Sequence, residues 1–142
     1  MKKLLFILTL LLPTLLFAQQ DSSKQTFKIG GINFKPGDCI PVLAGKYYGS
    51  TIASLLEIMK KPIVEIKGCG DSARVVSFKI SFILDNAAIR YYCLGDSIKK
   101  EVRKSLAQTA TGSFASISEI KYSLNGKVVL SDKKIIISSL LK

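Results

Sequence analysis

The chain has 142 residues, 21 Lys or Arg against 10 Asp or Glu, a formal net charge of +11, and 48% apolar residues. That is one ordinary domain with enough apolar material for a core of its own. It contains no histidine, which excludes Ser-His and Cys-His nucleophile pairs and histidine metal sites.

Residues 1–18 read as a secretory signal peptide. Lys2 and Lys3 precede the apolar run LLFILTLLLPTLLF, and Ala18 stands before the polar stretch Gln19–Ser23, so cleavage is expected after Ala18. An uncleaved anchor is the competing reading, but the run is short for a span of about 20 residues. No cysteine follows it to carry a lipid. Cleavage removes Lys2 and Lys3 and lowers the net charge by two. The expected destination is the periplasm or beyond, with no transmembrane helix remaining. Residues 19–25 read as a flexible leader, and 26–142 as a single β-rich domain.

Residues 26–38 predict two short strands around a Gly30-Gly31 turn, ended by Pro36-Gly37. Ile40–Leu43 predicts a strand. Gly45–Gly49 lacks phosphate-loop spacing and reads as a turn. In Ser50–Lys60, Ile52, Leu55, Leu56 and Met59 fall at i, i+3, i+4 and i+7. This predicts a short amphipathic helix capped by Ser50 or Thr51 and stopped by Pro62. Residues 62–67 return to a strand.

Ala73–Leu84 is the clearest element. Val76, Phe78, Ile80, Phe82 and Leu84 alternate with Ser77, Lys79 and Ser81, the period of a strand with one buried face. Asp85-Asn86 is a two-residue turn that sets Leu84 opposite Ala87, and AIRYYCL, residues 88–94, starts the returning strand. The register then places Ile89 opposite Phe82, Tyr91 opposite Ile80 and Cys93 opposite Phe78, all on the buried face. Next comes a helix, capped by Asp96 or Ser97, with Ile98, Val102 and Leu106 on its buried side. Lys99, Lys100, Arg103 and Lys104 lie on the other side and form a candidate binding face. Residues 114–124 predict a strand, Asn125-Gly126 a hairpin, and residues 134–138 an Ile-rich closing strand. The strand-rich order predicts a mainly β fold, an immunoglobulin-like β-sandwich with two short inserted helices.

The three cysteines form an odd set. The hairpin register buries Cys93, while Cys39 and Cys69 lie at element ends in Gly-rich loops. A Cys39–Cys69 disulfide with Cys93 as a buried thiol is therefore expected. No catalytic, cofactor-binding or metal-binding residues are indicated. The spacings lack a C-x-x-C pair, and the acids scatter over turns and caps.

Several stretches resemble a known family. PVLAGKYYGSTIASLLE, VEIKGCGDSARVVSFKISF, GDSIKKEVRKSL and SISEIKYSLNGK, with the closing Ile-rich strand, are similar in order to the C-terminal periplasmic domain of the gliding-motility protein GldM. The resemblance covers roughly residues 40–138. It is carried most by Val76-Ser77-Phe78, by Gly95-Asp96, and by Ile120 followed by Asn125-Gly126-Lys127. It implies an immunoglobulin-like module that docks on partner proteins in the type IX secretion and gliding machinery of Bacteroidetes, with no catalytic residues. Full-length members carry a transmembrane helix and further periplasmic domains, which this chain is not expected to share. The expected function is an exported, non-enzymatic adaptor or accessory module. Its partner would be a periplasmic or outer-membrane-associated protein or a second copy, with no specific nucleic acid. The alternative is a cationic binder of anionic envelope polymers such as lipopolysaccharide, acting through the 99–104 face.

Overall fold

A computed structural model describes residues 26–142. The expected signal peptide and leader lie outside the described residues. The fold is mainly β, with two short helices and three sheets.

Its frame is a six-stranded sheet. The order is β4 (Ser50–Ser54), β10 (Ile135–Leu141), β8 (Ser113–Leu124), β6 (Arg74–Leu84) and β7 (Ala87–Leu94), with β9 (Lys127–Leu130) also on β8. β4 runs parallel to β10 and the other pairs are antiparallel. β9 and β10 take successive halves of the same edge of β8, so the chain from Ser113 to Leu141 is one long interrupted hairpin.

The β6–β7 hairpin has the expected register: Leu84 faces Ala87, Phe82 faces Ile89, Ile80 faces Tyr91 and Phe78 faces Cys93. Asp85 and Asn86 both take positive φ, the requirement of a twist-matched two-residue turn, which Asp and Asn tolerate well. Phe78, Ile80, Phe82 and Cys93 are buried. The pattern departs from expectation at one point: Val75 is buried and Val76 is exposed. A bulge places Val76 as an extra residue on β6. A few residues on, Glu119 and Ile120 oppose Phe78 alone, and Glu119 adopts φ 50°. The two bulges cancel, so the pairing regains its original register beyond them.

The segment Ser50–Lys60 is a correction. Ser50–Ser54 is strand β4, and only Leu55–Lys60 is helix (α1). Ile52 and Leu56, expected in the core, are exposed, while Leu55 and Ile58 are buried. Parallel pairing with the distant β10 overrides the local helical spacing, and β-branched Thr51 and Ile52 suit a strand. Ser54 takes the cap position and accepts the Glu57 N–H at 3.5 Å. The second helix, α2 (Lys100–Gln108), also starts later than expected. Its cap position is Lys99, without a side-chain cap bond. Residues 96–98 instead continue as extended chain: Val64 N–H donates to Asp96 C=O at 2.7 Å, and Ile98 N–H to Pro62 C=O at 2.8 Å. Ile98, Val102 and Leu106 are buried as expected.

One face of the large sheet is covered. Strands β3 (Ile40–Leu43) and β5 (Val64–Lys67) form a two-stranded ladder. Leu43, Val64 and Ile66 from it, Leu55 and Ile58 from α1, and Val102 and Leu106 from α2 join Phe78, Ile80, Phe82, Ile117 and Ile137 in one core. The hairpin of β1 (Phe27–Ile29) and β2 (Ile32–Phe34) adds a satellite cluster around Ile29, Ile40 and Val42.

Cys39 and Cys69 form a disulfide with Cα atoms 4.9 Å apart, and Cys93 is a buried free thiol. Both expectations hold. The bridge fastens the end of the β3–β5 ladder, where Gly68 is held at φ +91° and a Cβ would strike the Asp38 carbonyl and the Phe27 ring. Burial pushes the Cys93 thiol above its ordinary value, so it stays a neutral apolar filler.

Candidate functional site

The opposite face of the large sheet is covered by no described element. Alternation along the strands sends Ser77, Lys79, Ser81 and Ile83 outward from β6 once Phe78, Ile80 and Phe82 turn inward. The ladder registers set the neighbours of these residues. Tyr92, Lys79 and Ser118 stand in one row, and Arg90, Ser81 and Ser116 in the next. Ala88, Ile83 and Phe114 close the lower side. Together they line a shallow basin of about 450 Å³. Its floor is serine, small enough to let a partner backbone or ring approach closely.

Two kinds of chemistry rim that floor. Tyr92 is 70% exposed and Leu94, farther up β7, is 74% exposed. Phe114, Ile83 and Val76 are also exposed. Large apolar side chains thus gather on one sheet face, the surface character of an interaction site. The cations are Lys79 and Arg90. Lys79 is ion-paired with Glu119 of the β8 bulge, and its ammonium lies 5.9 Å from the Tyr92 ring centroid. Arg90 is exposed and has no carboxylate partner among the described residues.

A larger cleft, of about 760 Å³, lies between β4, the β1–β2 turn and Tyr48. Its polar groups already serve the fold. Glu57 accepts from the Tyr47 hydroxyl and from Lys46 Nζ at 2.9 Å, while Ser54 N–H donates to Tyr47 Oη at 3.1 Å. The cluster ties α1 to the turn after β3. Hydrogen bonds from Tyr47 and then Lys46 hold the Glu57 carboxyl below its ordinary value. Burial, then the Glu57 bond, pushes the Tyr47 phenol up.

The candidate face on α2 stands apart from the basin, on the side of the sheet that the helices cover. Lys100, Arg103 and Lys104 share one helical face at i, i+3 and i+4, and Lys99 precedes them at the cap. Lys99, Lys100 and Lys104 are exposed, whereas Arg103 is half-buried with its Nε enclosed and without a hydrogen-bond partner. Sequence reading did not find the basin. Its signal was present in the outward partners of the two most regular strands, Tyr92, Arg90, Phe114 and the alternating serines.

Compared with known proteins, the chain matches no family model and no curated protein. Among the described residues no group of His, Cys, Asp and Glu is placed to hold a metal, and no helix is long and apolar enough to cross a membrane.

Proposed function

We propose that the chain is an exported, non-enzymatic protein-binding module that docks through the uncovered face of its six-stranded sheet. The observation that carries this is the serine-floored basin rimmed by exposed Tyr92 and Phe114, with exposed Leu94 and Val76 farther along the same strands. Isolated exposed apolar residues need no explanation, but several on one uncovered sheet face fit a contact surface. The Cys39–Cys69 disulfide suits an oxidising compartment. The similarity in segment order to the GldM C-terminal domain points the same way, to an adaptor or accessory role near the type IX secretion or gliding machinery. The partner would be a periplasmic or outer-membrane-associated protein. An immunoglobulin-like sandwich belongs to this reading. The β3–β5 ladder shares a core with the large sheet, as a narrow second layer would.

A second reading rests on α2. Lys100, Arg103 and Lys104 share a face, and none is in an ion pair among the described residues. Such a face suits anionic polymers such as lipopolysaccharide, with binding that collapses as salt screens it. Co-purification from the native envelope after mild crosslinking, at low and high salt, separates the two. The docking reading expects a stoichiometric protein partner that survives high salt. Recovery of only lipid or polysaccharide, lost at high salt, would replace it with the second reading.

A further inference from the structure

The β6–β7 ladder has a fixed phase. Gly95 N–H donates to the Val76 carbonyl at 2.7 Å, so Val76 and Gly95 are a bonded pair. Bonded and non-bonded pairs alternate in an antiparallel ladder. Stepping down the register, Cys93, Tyr91, Ile89 and Ala87 are therefore the β7 residues that exchange hydrogen bonds with β6. The N–H and C=O groups of Ala88, Arg90, Tyr92 and Leu94 point the other way, at an edge paired with no described strand. The same four residues put their side chains on the outward face. This edge runs for eight residues without a proline or a bulge. Of the devices that blunt a sheet edge it keeps one, a central charge, Arg90. The opposite side of the sheet ends on β4, where Ser54 N–H is taken by the Tyr47 hydroxyl, and on β9, which is only four residues long.

Arg90 selects the occupant. A second copy paired antiparallel about Arg90 sets Arg90 beside Arg90, and like charges on facing strands repel; paired about Tyr91 it sets Arg90 opposite Tyr92 and leaves the guanidinium without a carboxylate. A carboxylate opposite Arg90 does the reverse. Glu119 does not fill that role, being held by Lys79. We propose that β7 accepts an extended acidic segment of a partner protein as an added strand. A carboxylate lies opposite Arg90, and apolar or aromatic side chains lie opposite Tyr92 and Leu94. Main-chain bonds supply the affinity of such additions and alternate side chains the specificity. This rests on the reading of the chain as a protein-binding module and names the chemistry of its contact.

The test uses two synthetic peptides, one with a single Glu whose neighbours two and four residues along, on the same strand face, are Val and Tyr, with Thr between them, and one with Lys in place of that Glu. Amide hydrogen exchange is followed by NMR on the folded protein. The Glu peptide should saturably slow exchange at Ala88, Arg90, Tyr92 and Leu94 and leave Ile89, Tyr91 and Cys93 unchanged. The Lys peptide should do neither. Arg90→Glu should weaken binding by at least about fivefold, and Arg90→Lys should recover most of it. Tyr92→Pro removes one edge-facing N–H without breaking the β6 ladder and should abolish the protection. If that variant fails to fold, Arg90→Glu and Arg90→Lys carry the test. Equal binding of the two peptides, or no protection along β7, overturns the proposal. So does protection of the same amides that grows with protein concentration alone, which gives the edge to a second copy. The broader reading fails separately. An envelope partner that stays bound to Arg90→Glu and Tyr92→Pro sinks the added strand and leaves the module standing, whereas recovery of no partner by the unaltered protein sinks the module.

Discussion

The two faces of the β7–β6–β8 sheet come from the same strands and differ in everything that follows. Inward, Phe78, Ile80, Phe82, Ile117 and Ile120 are buried under α1, α2 and the β3–β5 ladder. Outward, Ser77, Lys79, Ser81, Ser116 and Ser118 form a low floor with Tyr92, Arg90 and Phe114 around it. The first face holds the fold together, because removing that area from water is the main favourable contribution to folding. The second adds little to stability and leaves aromatic and cationic groups exposed. The difference teaches that one alternating strand can serve two ends, provided that a covering layer is built on one side only.

The largest effect should come from the inward face. Phe78→Ala removes a ring that is 1% exposed, and thermal or urea unfolding should show a loss of about 3–5 kcal/mol. A loss below about 1 kcal/mol would mean that the inward face is not the packed side. Next in size is the bridge. Cys39→Ser with Cys69→Ser should cost about 2–4 kcal/mol and leave the β6–β7 ladder intact once folded, which amide exchange would read. An equal loss of protection in β6 and β3 would instead make the ladder and the sheet one inseparable unit.

A smaller effect concerns acid stability. The Glu57 carboxyl is held low by Tyr47 and then Lys46. A lowered carboxylate contributes stability that is complete above its ordinary value of about 4.3 and fades as pH falls through its folded value. Glu57→Gln should therefore flatten the acid limb of the stability curve and lower stability near neutral pH. An unchanged acid limb would show that the cluster does not hold α1. The smallest effect on stability belongs to the outward face. Tyr92→Ala should change unfolding free energy by no more than about 0.5 kcal/mol, while weakening partner capture in the envelope assay. A large loss of stability would mean that Tyr92 supports the fold and is not kept exposed for contact.

Much of the inward face was legible in the chain. The alternation from Phe78 to Leu84 and the Asp85-Asn86 turn determine the hairpin register, and the register buries Cys93. Cys39 and Cys69 were readable as partners because they stand at ladder ends. Val76 was not readable, since its exposure comes from a bulge on β6 that only the pairing with β8 reveals. Ser50–Ser54 was not readable either. Its apolar spacing suits a helix, and only pairing with β10, far along the sequence, makes it a strand. The helix cap at Asp96 or Ser97 failed for a similar reason, as those residues bond back to the segment around Pro62 and Val64. The basin was hidden because alternating Ser and Lys looks like any wetted strand face. That no layer covers it is a property of the whole fold.

The most direct measurement of the central claim compares the two faces of β7 at neighbouring positions. A photocrosslinking side chain placed at position 92 faces outward. At position 91 it replaces a phenol bonded to Ser105 of α2 at 3.0 Å. Irradiated in the native envelope, the protein should form a discrete crosslink to one partner from position 92 and none from position 91. Crosslinks of equal yield from both positions, or from neither, would contradict the assignment of docking to the uncovered face.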